Sequence, residues 1–256
     1  MLTPSVTVLV ESLAADDGGC LFDQAIAAMT NESAYQPDFI LYLGGTLVSK
    51  RLKQMLRRAD ATCWSIERDG AVHDTFGKLE RVVPSVVEPS HLLKAVADDL
   101  LEKGADTAAT AESHAAYHVL WREALDATAR RIEAINPPYS QALAVKLFER
   151  EVEGFDAPCS VHYANSSVVR LANIYSRHYN YVNRGVNGIE GSLSVAAGYS
   201  LTTADDAATF CVIGDLSFFY DSNALWCDDL RGNLRILLLN NGCGSIFETL
   251  PGLEKS

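Results

Sequence analysis

The sequence predicts an α/β protein made of two doubly wound parallel-sheet domains. Three features carry that reading. Short apolar runs alternate with segments of helical period. A proline pair near the middle of the chain interrupts the alternation. The apolar runs of the second half then end abruptly in Gly, Asp or Asn, as strands entering loops do. The 256 residues, 48% of them hydrophobic, suffice for one large or two modest domains with real cores.

In the first half, Val6–Val10 is a short apolar run, and Phe39–Leu43 (FILYL) is a β-type run that ends in Gly44-Gly45. Leu47–Ala59 follows, with Leu47, Leu52, Met55 and Leu56 at near-helical spacing among Lys and Arg. Thr62–Ile66 reads as the next strand, and Ser90 can cap a helix running to about Lys103. His114 to Ile135 is a long helical stretch that Asn136-Pro137-Pro138 stops, because proline lacks the N–H and restricts the residue before it. The domain boundary falls there, giving a first domain of 1–135 and a second of 136–256.

The second series begins with Ser140, which can cap a helix to about Glu151. Ser160–Tyr163 is strand-like, Ser166–His178 helical, and Tyr181-Val182 a short strand before the loop Asn183-Arg184-Gly185. Gly191–Ser200 is a small-residue helix. Thr209–Gly214 (TFCVIG) and Arg235–Leu239 (RILLL) read as fully buried strands with a helix, Phe218–Leu230, between them. A doubly wound domain normally continues beyond such a strand, so truncation at the C-terminus is expected.

Composition narrows the function. A net charge of −12 and a pI near 4.9 repel phosphates of nucleic acids and anionic lipids. A small anionic substrate would need a local cationic pocket. The cysteines (Cys20, Cys63, Cys159, Cys211, Cys227 and Cys243) form no C-x-x-C pair and no zinc-finger spacing. They read as reduced thiols, nearly all small core residues, in a cytoplasmic protein. No run of about 20 apolar residues and no signal-peptide pattern is visible.

Asp215 follows the strand TFCVIG, and Asn240-Asn241 follow RILLL. Both lie at carboxyl ends of expected parallel strands, where open α/β sheets bind ligands. The 24 residues from 216 to 239 leave room for one helix and one strand, so the two sites should be neighbours. One carboxylate, one amide oxygen and one loop carbonyl make a hard, incomplete oxygen shell. Mg²⁺ favours such a shell when phosphate oxygens and water complete it. A helix starting near Ser217 would aim its N–H groups at the same phosphates. Separately, Asp215 reads as a helix cap and the Asn pair as a turn; together they favour a metal-diphosphate site.

Gly214-Asp215 through Asn240-Asn241 resembles the signature of thiamine-diphosphate enzymes, which begins G-D-G and ends N-N. Leu216 departs from it at the third position. That departure is similar to the pattern of one family within this group, the 2-succinyl-5-enolpyruvyl-6-hydroxy-3-cyclohexene-1-carboxylate synthases (MenD) of menaquinone biosynthesis. Gly214–Leu225 (GDLSFFYDSNAL), Asn165–Arg170 (NSSVVR), Asn183–Gly191 (NRGVNGIEG) and Asn240–Phe247 (NNGCGSIF) all resemble its blocks. The resemblance is dense over 165–253 and weaker over 1–135.

The resemblance implies a middle domain followed by a diphosphate-binding domain, with thiamine diphosphate and Mg²⁺ or Mn²⁺ as cofactors. The reaction is that of a transferase, which decarboxylates 2-oxoglutarate and adds the four-carbon unit to isochorismate. Gly214, Asp215, Leu216, Ser217 and Asn241 would hold the cofactor. Asp215, the Asn241 side chain and the Cys243 backbone carbonyl would hold the metal, Cys243 standing where the family has glycine. Ser166, Arg170 and Arg184 match substrate-binding positions, with Ser166 and Arg170 paired with isochorismate. Ile189 matches the residue that props the thiazolium, and Ile246, Phe247 and Leu250 form an apolar wall. The family carries an N-terminal pyrimidine-binding domain with an activating glutamate and completes its site across a homodimer, as a dimer or dimer of dimers. The chain alone is therefore expected to be inactive. Other readings are another thiamine-diphosphate decarboxylase or ligase, a scaffold without chemistry, or a nicotinamide-dinucleotide module built on Gly185-x-x-Gly188-x-x-Gly191. The last lacks the G-x-G-x-x-G spacing and a full preceding strand, and leaves Asn240-Asn241 unexplained.

Overall fold

The computed structural model describes residues 6–14, 19–87, 91–92, 94–95, 108–184 and 188–243. It divides into two compact units: Met1–Val10 with Cys20–Ile135, and Glu11–Gly19 with Asn136–Ser256. The division expected at residue 135 takes no account of the segment Glu11–Gly19, which groups with the second unit. Within that unit, the Ser12 N–H donates to Asn173 Oδ1 at 3.1 Å.

In the first unit, α1 (Phe22–Ala28), β1 (Phe39–Leu43), α2 (Lys50–Arg58), β2 (Thr62–Glu67), β3 (Leu79–Pro84) and α3 (Ala108–Ala134) follow in order. The strands form one parallel sheet, β1-β2-β3. Ser49 fixes where α2 starts, because its Oγ accepts the Leu52 N–H at 3.0 Å. Leu52, Met55 and Leu56 then share one face of α2 and pack with Phe22, Ile26, Ile40, Cys63 and Trp121. Trp121 is fully enclosed, and its indole N–H donates to the Tyr35 carbonyl at 3.3 Å. Val6–Val10 lies outside any strand. Strand β3 (LERVVP) was not anticipated: it has no buried residue, carries two charges and ends in proline, which a sheet tolerates at an edge. Most of the helix expected from Ser90 lies outside the described residues.

The second unit contains α4 (Gln141–Glu153), β4 (Cys159–Tyr163), α5 (Ser167–Tyr175), β5 (Asn180–Val182), α6 (Ser192–Thr202), β6 (Ala208–Gly214), α7 (Asp215–Tyr220) and β7 (Leu234–Leu239). Its strands are all parallel in the order β5-β4-β6-β7. Strand β6 is covered on both faces. Val212 packs with Val145 and Val152 of α4 and Val168 and Ala172 of α5. Cys211 and Ile213 pack with Leu193 and Ala196 of α6. Helices on both faces make this a doubly wound sheet.

Two segments differ from what the sequence predicts. Strand β7 is not fully buried, since only Leu239 is enclosed while Arg235 and Leu238 are exposed. Among the described residues it is the sheet's last strand, so it lacks a neighbour on one side. The helix expected over 218–230 is instead α7, starting at Asp215, and a 3₁₀ turn, Ser222–Trp226. The break comes at Asp221, which leaves helical conformation (φ −131°). Its buried carboxylate accepts the Ser194 N–H at 2.6 Å, in the first turn of α6, together with the Ser194 hydroxyl. A carboxylate at a helix N-terminus satisfies an orphan donor and complements the dipole.

The cysteines are also less buried than expected. Cys63 and Cys211 are enclosed, Cys20 is intermediate, and Cys159, Cys227 and Cys243 are exposed. All are free thiols. No helix among the described residues is long and apolar enough to cross a membrane.

Two histidines of the second unit respond oppositely to pH. His162, buried on β4, stacks on Tyr181 with centroids 4.8 Å apart. Desolvation lowers its pKa from 6.5 to about 4. For His178 burial also lowers the pKa, but the buried Glu149 carboxylate 2.9 Å from Nε2 raises it overall. The same carboxylate accepts the Tyr163 hydroxyl. A lowered folded-state pKa means the unfolded chain binds the proton more tightly, so His162 contributes stability above pH 6.5 that is lost as pH falls towards 4. The loss at pH 5 is about 2 kcal/mol. His178 has the opposite sign: its contribution is full below pH 6.5 and lost as pH rises through its folded pKa. His162→Phe should therefore lose less stability than wild type between pH 7.5 and 5 in urea titrations. Equal losses would show that His162 protonates without penalty.

Candidate active site

The strand order places a topological switch between β4 and β6. From β4 the chain moves outward to β5 on one side, then returns to build β6 and β7 on the other. Open α/β sheets bind ligands at the carboxyl ends of the strands flanking such a switch. The residues there are Asn165-Ser166 after β4, Asn183-Arg184 after β5, Asp215 after β6 and Asn240-Asn241 after β7.

Asp215 and the asparagine pair are neighbours by register, since Gly214 pairs with Leu239, the last residues of β6 and β7. Asp215 is 8% exposed, and its Oδ1 accepts the Leu216 N–H at 2.9 Å. Asn240 Oδ1 accepts the Gly242 N–H at 2.8 Å, and Asn241 Oδ1 the Cys243 N–H at 3.1 Å. The asparagines form the local turns expected of them, but Asp215 does not cap the helix: it is the first residue of α7, whose cap Gly214 makes no side-chain cap bond, and its Oδ1 accepts the next N–H along the chain. Neither excludes a ligand, because amide and carboxylate oxygens keep further lone pairs. The donor set fits a hard divalent cation bound with a diphosphate. It offers one carboxylate and amide oxygens, and among the described residues no group of three His, Cys, Asp or Glu side chains gathers to hold a metal unaided. Helix α7 spans six residues, so its share is the N–H groups of one turn rather than a long dipole.

Ser217 is buried, and its hydroxyl donates to the Ile189 carbonyl. This contact brings half-buried Ile189 beside the start of α7. Gly191, just beyond, caps α6 in the left-handed conformation (φ 77°), and a Cβ there would stand 3.1 Å from Asn183 Nδ2. Steric need thus explains this glycine without a dinucleotide.

Ser166 is the one non-glycine residue with positive φ among those described (φ 73°, ψ −130°). Backbone in this region costs on the order of 1–3 kcal/mol and collects at functional sites. Its side chain does not cap α5. Its carbonyl accepts Arg170 Nη1 at 2.5 Å, which folds the exposed arginine back over the turn. Arg184 is half-buried. Burial lowers its pKa, the Glu11 carboxylate opposes this, and the like charge of Arg170 adds to the lowering. The guanidinium stays charged, and the repulsion places the two arginines within reach of one another's field. Among the described residues, Arg184 Nε is buried without a partner.

In the sequence Asn165 stands out only as the first residue of the block NSSVVR. It is 3% exposed, its Nδ2 donates to the carbonyls of Asn183 and Gly188, both at 2.7 Å, and its Oδ1 accepts Arg184 Nη1 at 3.1 Å. The available signal was a polar pair placed directly after a strand. Leu216 is partly buried, and Cys243 is exposed beside Asn241. Ile246, Phe247 and Leu250 lie outside the described residues.

No family model matches the chain. Curated relatives do. The chain is 40% identical over 241 residues to the 2-succinyl-5-enolpyruvyl-6-hydroxy-3-cyclohexene-1-carboxylate synthase of Bacteroides thetaiotaomicron, covering 92% of the chain and 40% of that protein. It is 38% identical over 241 residues to the same-named protein of Phocaeicola vulgatus, with the same coverage. For that of Porphyromonas gingivalis the figures are 31% over 260 residues, 97% of the chain and 43% of the relative. The chain thus spans about 40% of the length of the curated relatives it matches.

Proposed function

For a chain that belongs to the 2-succinyl-5-enolpyruvyl-6-hydroxy-3-cyclohexene-1-carboxylate synthase family over 92% of its length, we propose that it forms the diphosphate- and metal-binding part of such a synthase, with the first unit as the middle domain. The activity is thiamine-diphosphate-dependent decarboxylation of 2-oxoglutarate and addition of the product carbon unit to isochorismate. The observation that supports this best is the register of β6 and β7, which sets Asp215 beside Asn240-Asn241 next to the switch point.

The bound cofactor supplies the carbanion chemistry, and the chain supplies orientation and charge. Asp215, Asn241 and the Cys243 carbonyl hold Mg²⁺ or Mn²⁺, with Gly214, Leu216 and Ser217 around the diphosphate. Ile189 supports the cofactor from the loop that Ser217 fastens. Arg170 and Arg184 supply the positive charge that two anionic substrates require in a protein of net charge −12. Ser166 adds a hydroxyl at the mouth of the switch. The assembly is a cytoplasmic homo-oligomer that completes its sites between subunits, and the chain by itself does not turn over.

A chimera tests this reading. This chain replaces the matched 241 residues of the Bacteroides thetaiotaomicron relative. With thiamine diphosphate and Mg²⁺, the chimera should consume 2-oxoglutarate and isochorismate together. A folded chimera that binds thiamine diphosphate but turns over neither substrate refutes the substrate assignment.

A further inference from the structure

We propose that Asn165 is a positioning residue that aims Arg184 and ties the arginine side of the site to the diphosphate side. The proposal rests on the reading of Arg184 as a substrate-binding cation. The amide of Asn165 is enclosed and uses both ends. Nδ2 donates to the carbonyls of Asn183 and Gly188, which lie on either flank of residues 185–187. Oδ1 accepts Arg184 Nη1. One side chain from the loop after β4 thus fixes the loop after β5 at two points and orients its arginine. Gly188 precedes Ile189, whose carbonyl takes the Ser217 hydroxyl, and Ser217 is two residues from Asp215. A short covalent and hydrogen-bonded path therefore runs from Arg184 through Asn165 to the start of α7.

The geometry separates two roles that one substitution would confuse. Asn165→Asp keeps an acceptor for Arg184 but replaces the two-proton donor with a carboxylate facing two carbonyls. Asn165→Ala removes both ends. A merely structural asparagine would be damaged alike by either change, because both lose the two carbonyl anchors. A residue that aims Arg184 responds differently: Asp holds the guanidinium and Ala releases it.

The experiment follows phenylglyoxal modification of Arg184 in this chain by mass spectrometry, with exposed Arg122 of α3 as internal reference. Relative to Arg122, Arg184 should react roughly tenfold faster or more in Asn165→Ala, the scale of losing a hydrogen bond to a charged group. In Asn165→Asp it should react no faster than in wild type. In the chimera, Asn165→Ala should raise KM for the anionic substrates more than it lowers kcat, with thiamine diphosphate still bound. Arg184 reactivity that is unchanged in Asn165→Ala, or equally raised in both variants, overturns the proposal. If Ala does not fold, an Asp variant whose Arg184 is more reactive than wild type overturns it alone. Reactivity that changes as expected in a chimera that never turns over supports the positioning role and counts against the proposed reaction instead.

Discussion

Asp215→Asn in the chimera should remain folded and lose metal-dependent thiamine-diphosphate binding by at least about a hundredfold, since even residues one shell from a metal cost ten- to a hundredfold when replaced. Asparagine is chosen because it isolates the charge. Its Oδ1 can still accept the Leu216 N–H, so the local bond seen with Asp215 survives. What disappears is the negative oxygen. Asparagines 240 and 241 supply only neutral amides, and the carboxyl-rich surroundings of a protein at −12 offer the diphosphate no compensation. Calorimetric titration of thiamine diphosphate with and without Mg²⁺ reads the effect. Wild-type affinity in a folded Asp215→Asn variant would reduce Asp215 to a helix start, and the metal assignment would fall with it.

How far the sequence could lead depended on the range of the interactions involved. Strand β6 was legible because TFCVIG is apolar on both faces, and the structure covers both. The neighbourhood of Asp215 and Asn240 was legible because one helix and one strand are the shortest link between adjacent parallel strands. Strand β3 was not, because LERVVP is exposed and charged and carries no periodicity. RILLL misled in the other direction: its apolar run matches a buried strand, but edge position is set by the order of the sheet. The break at Asp221 was hidden for a similar reason. Its partner, Ser194, lies 27 residues earlier, so nothing local marks Asp221 as a helix end. The fastening role of Asn165 depends likewise on carbonyls 18 and 23 residues away, and backbone carbonyls leave no trace in a residue pattern. Capping was the local exception. Ser140, read as a cap, bonds the N–H three residues on; Ser49 does the same, but the helical stretch read from Leu47 missed it, and α2 starts only at Lys50.

Arg170→Ala and Arg184→Ala should each cut kcat/KM in the chimera by about ten- to more than a hundredfold, because a lost charge-assisted carboxylate contact costs about 1.5–3 kcal/mol. Cofactor affinity should hold in both. The two arginines start from different states, which sharpens the expectation. Arg170 is exposed and folded onto the Ser166 carbonyl, so its removal leaves only a solvated acceptor behind. Arg184 is half-buried, with an Nε unpartnered among the described residues and a pKa lowered first by desolvation. A charge kept at that cost in the folded state does not contribute its burial to stability. Arg184→Ala should therefore lose far more activity than thermal stability, because it relieves that desolvation while also removing the guanidinium from the enclosed Asn165 Oδ1. Arg184→Lys should not rescue it, since an ammonium cannot reproduce the planar fork that grips a carboxylate with two parallel bonds. Measuring release of CO₂ from 2-oxoglutarate separately from consumption of isochorismate tells which substrate each arginine serves. Ser166 and Arg170 are expected to act on isochorismate, so Arg170→Ala should impair its consumption more than CO₂ release. Wild-type rates for both steps in both variants would make these arginines ordinary surface charges and remove the physical basis of the substrate assignment.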